Sequence, residues 1–148
     1  MKIEKSEIPQ IALRNFYISD AEARIPYFEK QGNKKTVNAL KAKIIEYENM
    51  SPTEFDLSRR PYNVPTFKNL DPSKGYIRIL KSIEELSKIL GHNPTKSELN
   101  AYLNAKYKLT AMNNENVQHL RHAKMIGNER KGYFVTEFGQ AVIDAYSL

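Results

Sequence analysis

The stretch Asn113-Asn-Glu-Asn-Val-Gln-His-Leu-Arg-His-Ala-Lys-Met-Ile126, continued by Gly127-Asn-Glu-Arg-Lys-Gly-Tyr-Phe-Val-Thr136, decides how this chain is read. Projected at about 100° per residue, Val117, Leu120 and Ala123 fall on one side of a helix, with Ile126 following. Glu115, Gln118 and His122 point away, and Asn114 and Arg121 flank them. Met125-Ile126 and Tyr133-Phe134-Val135 are short apolar runs on either side of the polar loop Gly127 to Gly132. Glycine at both ends of such a loop predicts a two-stranded hairpin with Arg130 and Lys131 at its tip. Thr136-Glu-Phe-Gly139 then starts a last helix, whose Phe138, Val142 and Tyr146 pack back.

Upstream, Gly75 opens a helix with Tyr76, Ile79, Leu80, Ile83, Leu86 and Leu90 on one wide apolar face, ended by Gly91. Thr95-Lys-Ser-Glu98 is a capping box, in which the side chains of the first and fourth residues satisfy each other's free amides. It starts a helix with Leu99, Tyr102 and Leu103 inward. Residues 1–57 read as a helical N-terminal subdomain without strand alternation. Ser19-Asp-Ala-Glu22, a second capping box, predicts a helix to about Lys30, kinked or restarted at Pro26. Gln31-Gly-Asn33 stops it and caps a helix from Lys34 to Asn49, with Val37, Leu40, Ile44 and Tyr47 as its packing stripe or as a face for a partner or dimer helix. Ser51-Pro-Thr-Glu54 predicts a short helix from Pro52 to about Leu57. Residues 58–74, with Pro61, Pro65 and Pro72, read as an extended connector, and Arg59, Arg60 and Lys68 among Tyr62 and Phe67 suit a phosphate backbone.

The chain has 148 residues, 41% of them hydrophobic and 27% charged, enough for one ordinary core. Cysteine is absent, which removes disulfides, thiolate zinc sites and a cysteine nucleophile. No apolar run reaches a membrane span and Met-Lys-Ile-Glu-Lys-Ser-Glu7 is too charged for a secretory signal, so a cytoplasmic setting is expected. The net charge of +6 is spread evenly between the two halves. It concentrates only between Asn104 and Lys131, where Lys106, Lys108, Arg121, Lys124, Arg130 and Lys131 face just Glu115 and Glu129.

Ala123-Lys-Met-Ile-Gly127 followed by Tyr133-Phe-Val-Thr-Glu-Phe-Gly139 resembles the winged helix-turn-helix family over residues 75–148, the last phrase being similar to the "leucine-threonine-glutamate-x-glycine" lead-in to the helix after the wing. The expected fold is therefore mainly α: a winged helix-turn-helix with a small β-hairpin plus the N-terminal helical subdomain. The resemblance implies binding to double-stranded DNA. Asn114, Gln118, Arg121 and His122 would contact base edges, because arginine pairs with guanine and asparagine or glutamine with adenine in two-point fashion. Lys106, Lys108, Lys124, Arg130, Lys131, Arg59 and Arg60 would grip phosphate. A transcription-regulation role fits, in which one short helix reads about half a site and a homodimer, the N-terminal annex or the Arg59-Arg60 connector completes it. A winged-helix adaptor that binds a larger protein partner, encoded by a phage or mobile element, is the second reading.

A third follows from a weaker resemblance of the helical annex, Arg59-Arg-Pro-Tyr62 and the winged helix to the target-recognition regions of type IIS restriction-modification and nicking endonucleases. A nuclease of that kind needs an aspartate upstream of Glu-x-Lys to hold magnesium. The one Glu-x-Lys is Glu129-Arg-Lys131 at the hairpin tip, with no aspartate between Asp71 and Asp144. His119 and His122 lack a third ligand and project to different sides. No catalytic residue, metal or cofactor is expected of the chain itself.

Overall fold

A computed structural model describes residues 2–55, 75–108, 114–130 and 132–146. The connector expected over 58–74, with Arg59 and Arg60, lies outside the described residues. The architecture is mainly helical with one two-stranded antiparallel sheet.

The first helix, α1, runs from Ile8 to Lys30 after a 3-10 turn at Lys5–Glu7. Pro9 sits in its first turn, where a missing N–H costs nothing. The start expected at Ser19 is therefore corrected: Ser19 is mid-helix, and its hydroxyl donates to the carbonyl of His122 instead of capping its own chain. Pro26 is carried inside α1 on an exposed position. After Gly32, left-handed at φ 68°, the Asn33 side chain accepts from Thr36 N at 3.1 Å and opens α2, Lys34–Asn49. The two form an antiparallel hairpin closed at its base by Tyr17, Tyr47 and Phe55, whose ring centroids lie 5.3 to 5.8 Å apart, with Leu13 buried against Phe55. The helix expected over 52–57 is only one 3-10 turn, Pro52–Glu54, because Phe55 turns extended to reach this cluster.

Helix α3, Gly75–Leu90, is the centre of the molecule. Its Ile77, Ile79, Leu80, Ile83 and Leu86 are all buried, more of its circumference than one amphipathic face would require. Around it stand α4, Lys96–Tyr107, opened by the expected Thr95–Glu98 box, then α5, Asn114–His122, and α6, Glu137–Tyr146. Leu99, Leu103, Val117, Leu120, Met125, Phe138 and Val142 complete one apolar cluster with Ile8 and Ala12 of α1. Full burial of an isoleucine such as Ile8 contributes about 1.5–3 kcal/mol, so α1 is held to the C-terminal helices by more than charge.

Strands β1, Ile126–Glu129, and β2, Gly132–Val135, pair with Ile126 opposite Val135 and Glu129 opposite Gly132. The loop expected from Gly127 to Gly132 is thus mostly strand, with Arg130 in the turn between the two. Gly132 has φ 120°, and a side chain there would strike the Pro94 carbonyl. That approach lets Tyr133 N donate to Pro94 O at 2.9 Å, tying the α3–α4 loop to the hairpin.

Between α5 and β1 the chain reverses in a Schellman turn: Met125 N bonds Leu120 O and Lys124 N bonds Arg121 O, with Lys124 left-handed at φ 60°. A non-glycine residue in that conformation costs about 1–2 kcal/mol. Thr136 offsets it from the far side of the hairpin. Its hydroxyl donates to Lys124 O at 2.5 Å and accepts from Gly139 N at 3.0 Å, and its amide bonds Met125 O at 3.0 Å. Gly139 lies against that same Met125 carbonyl, where a Cβ has no room. Thr136→Val should therefore lose about 2–3 kcal/mol of stability in urea unfolding, a lost cap plus an unpaired carbonyl. Gly139→Ala should destabilise as well, and a Thr136→Val variant within about 0.5 kcal/mol of wild type, the scatter of ordinary surface changes, would remove the junction's role.

Candidate nucleic-acid interface

Helix α5 shows three different sides to its surroundings. Val117 and Leu120 are buried toward α3. Glu115, Gln118 and Arg121, successive residues three apart, are exposed in a single row, and Arg121 Nη1 lies 3.4 Å from Gln118 Oε1. The third side is covered by α1: Phe16 packs its ring 6.4 Å from His119 and 5.8 Å from His122.

That cover corrects the placement of both histidines. They share one neighbour and do not project to different sides, and His122 is half-buried, not directed outward. Burial beneath α1 holds the His122 imidazole below its ordinary value, with Arg121 and His119 acting in the same direction and Asp20 opposing them. His122 thus packs beside Phe16 and stands apart from the exposed row of Glu115, Gln118 and Arg121.

The end of α5 is fixed by side chains of α1. Asn15 Nδ2 donates to Ala123 O at 2.7 Å from a position only 8% exposed, and Ser19 Oγ donates to His122 O at 3.0 Å. One helical turn further, Glu22 pairs with Lys124 at 2.8 Å. Lys124, expected on phosphate, is therefore partly buried and already neutralised. Asn15 and Phe16 are not singled out by the sequence, and Ser19 and Glu22 are read there only as the ends of a helix-starting capping box. The available signal was a polar residue, Asn15, three residues beyond Ala12 in the stripe that begins at Ile8.

Lys106 is also engaged. It donates to the Glu85 carboxylate, which the Tyr102 hydroxyl reaches at 2.6 Å. Partial burial pushes the Glu85 carboxyl up, but the Lys106 and Tyr102 hydrogen bonds outweigh it and leave it below the ordinary carboxylate range. The same hydrogen bond from Lys106 to Glu85 holds the ammonium above its ordinary value. Lys106 stays cationic, yet its charge is matched within α3–α4. Lys108, left-handed at φ 58° after α4, and Arg130 at the hairpin tip are exposed. The side chain of Asn114 and all of Lys131 lie outside the described residues.

Gln118 and Arg121 share one exposed row on α5 and Arg130 is exposed at the end of the adjoining hairpin, whereas His122, Lys124 and Lys106 are engaged by Phe16, Glu22 and Glu85. Among the described residues no group of three metal-binding side chains converges, and no helix is long and apolar enough to cross a membrane. These features define a mainly α protein with a braced helix and an adjoining short hairpin. No protein-family model, no curated protein and no solved structure matches the chain.

The depressed histidine has a checkable consequence. The unfolded chain binds a proton at His122 more readily than the folded one, so this group's contribution to stability is present above pH 6.5 or so and declines as pH falls below it. In thermal melts at stepped pH, wild type should lose stability on acidification more steeply than His122→Gln, and parallel profiles would show that the buried ring does not titrate as placed.

Proposed function

We propose that this protein binds duplex DNA as a winged helix, without chemistry of its own. In this reading α5 is the recognition helix and β1–β2 is the wing. The observation that carries it is the exposed Gln118–Arg121 row on a helix in contact with a hairpin that presents the exposed Arg130 at its end. Arginine forks onto guanine O6 and N7, and glutamine spans adenine N6 and N7, so this pair is suited to two neighbouring bases in a major groove. Asn114, one turn before Gln118, would extend the row. Glu115 in the same row suits a cytosine N4 donor and repels phosphate, which favours seating the helix with its row toward the groove floor.

Arg130 and Lys131 would meet the backbone, with Lys108 as a further contact. His122 and Lys124 take a different part from the one their residue types suggest: held by Phe16 and Glu22, they set the angle of the helix and leave the bases to others. A site prearranged in this way avoids ordering costs on binding. With two or three side chains per helix the surface covers about half a site.

Fluorescence anisotropy against a duplex selected from a random pool and against a scrambled duplex tests the division of labour. Arg121→Ala should cost about 1–3 kcal/mol on the selected duplex and much less on the scrambled one. Arg130→Ala should weaken both alike and reduce the slope of log affinity against log salt by about 0.9. Equal losses on both duplexes from both variants would end the assignment.

A further inference from the structure

Helix α1 continues after its contact with α5 ends. Its beginning lies at α6, where Lys5 Nζ stands 5.0 Å from the Tyr146 ring centre and Ile3 borders a cleft with Ala141 and Ala145. Its middle crosses the end of α5, Asn15 at Ala123, Ser19 at His122 and Glu22 at Lys124. The direction is thus from the α6 side of the molecule to the α5 side and beyond. From Glu22 to the end of α1 at Lys30 the helix runs about 12 Å further at 1.5 Å per residue. Gly32 and Asn33 turn the chain there, and α2 returns.

The tip that this builds is basic. Between Glu29 and Lys43 there are five lysines and one glutamate. Lys30, Lys34, Lys35 and Lys41 are exposed, and Lys34 and Lys41 border an open cleft of about 320 Å³ together with Asn33, Asn38 and a single acidic residue, Glu29. Acidic groups closer to α5 are matched, Asp20 by Arg24 at 3.3 Å and Glu22 by Lys124 at 2.8 Å, so they do not cancel the tip's field.

We propose that the α1–α2 tip is a second DNA-contacting element, a phosphate arm that prolongs the interface past the recognition helix. This rests on the DNA-binding reading above. The chemistry selects backbone over bases: lysine ammonium groups on long stems are mobile point charges that follow a row of phosphates without reading sequence. With phosphates about 3.4 Å apart along each strand, 12 Å of helix reaches three or four further base pairs. The arm therefore supplies length and sequence-independent affinity to a helix too short to cover a whole site.

The test uses the full chain and a variant carrying Lys34→Gln, Lys35→Gln and Lys41→Gln, with fluorescein-labelled duplexes of about one and about two helical turns, roughly 10 and 20 base pairs. On the longer duplex the variant should bind more weakly whatever the sequence. Its affinity loss between roughly 0.05 and 0.2 M salt should shrink by about 3.5-fold for each phosphate contact removed. On the shorter duplex the two proteins should differ much less. If Arg130→Ala weakens binding but the triple variant matches wild type in affinity and salt slope on both duplexes, the arm does not touch DNA while the winged-helix reading stands. If wild type binds no duplex even at low salt, both fall.

Discussion

A buried amide holds this structure in register. Asn15 Nδ2 gives its hydrogen to Ala123 O, and around that bond four consecutive carbonyls each find a donor from elsewhere in the chain: His122 O from Ser19, Ala123 O from Asn15, Lys124 O from the Thr136 hydroxyl and Met125 O from the Thr136 amide. The end of a helix normally leaves its last carbonyls to water or to a glycine turn. Here the first two are capped by α1 and the next two by the strand-to-helix corner. Helix α5, Asn114–His122, is too short to persist alone, so its position is that of the donors which surround it. An unpaired buried carbonyl costs about 1–3 kcal/mol, and the geometry of the whole helix–hairpin junction depends on avoiding that cost four times.

The same bonds explain what the sequence could and could not disclose. Elements closed by near neighbours were legible: Asn33 and Thr95 start α2 and α4 where local capping chemistry places them, and the apolar runs on either side of the glycine-bounded loop mark the hairpin. Ser19-Asp-Ala-Glu22 obeys the same local rule and misleads, since both of its polar ends are taken by residues about a hundred positions away. Helical projection fixes the angles between His119, His122 and Gln118 but cannot say which of them a distant helix will cover. Phe16 made that choice. Lys106 and Lys124 show the electrostatic version of the problem: each lies in a run of basic residues, and each meets a carboxylate, Glu85 or Glu22, that no window of sequence brings near.

Neutralisation of that kind makes the outward charge sparser and better defined than composition suggests. Arg121 projects from α5 and Arg130 from the end of the hairpin, whereas of the tip lysines Lys30 stands on the last turn of α1, the helix braced at Asn15 and Ser19, and Lys34, Lys35 and Lys41 stand on α2. Arginines on α5 and the hairpin, and long-stemmed lysines at the α1–α2 tip, suit the two tasks proposed for the surface, reading and holding.

The bond between Asn15 and Ala123 also joins residues 108 positions apart, which bears on how the chain is born. Closing a loop of that length costs about 4 kcal/mol in chain entropy. On a ribosome adding roughly 5–20 residues per second, α1 emerges some 5–20 s before its acceptor exists. Until α3 and the elements after it are made, Ile8 and Ala12 lack the cluster they enter in the folded chain, and the nascent segment offers an apolar stripe to whatever holds unfinished chains. Helix α1 is therefore made, and folded back on α2, well before the contacts that fix it to α5 can form.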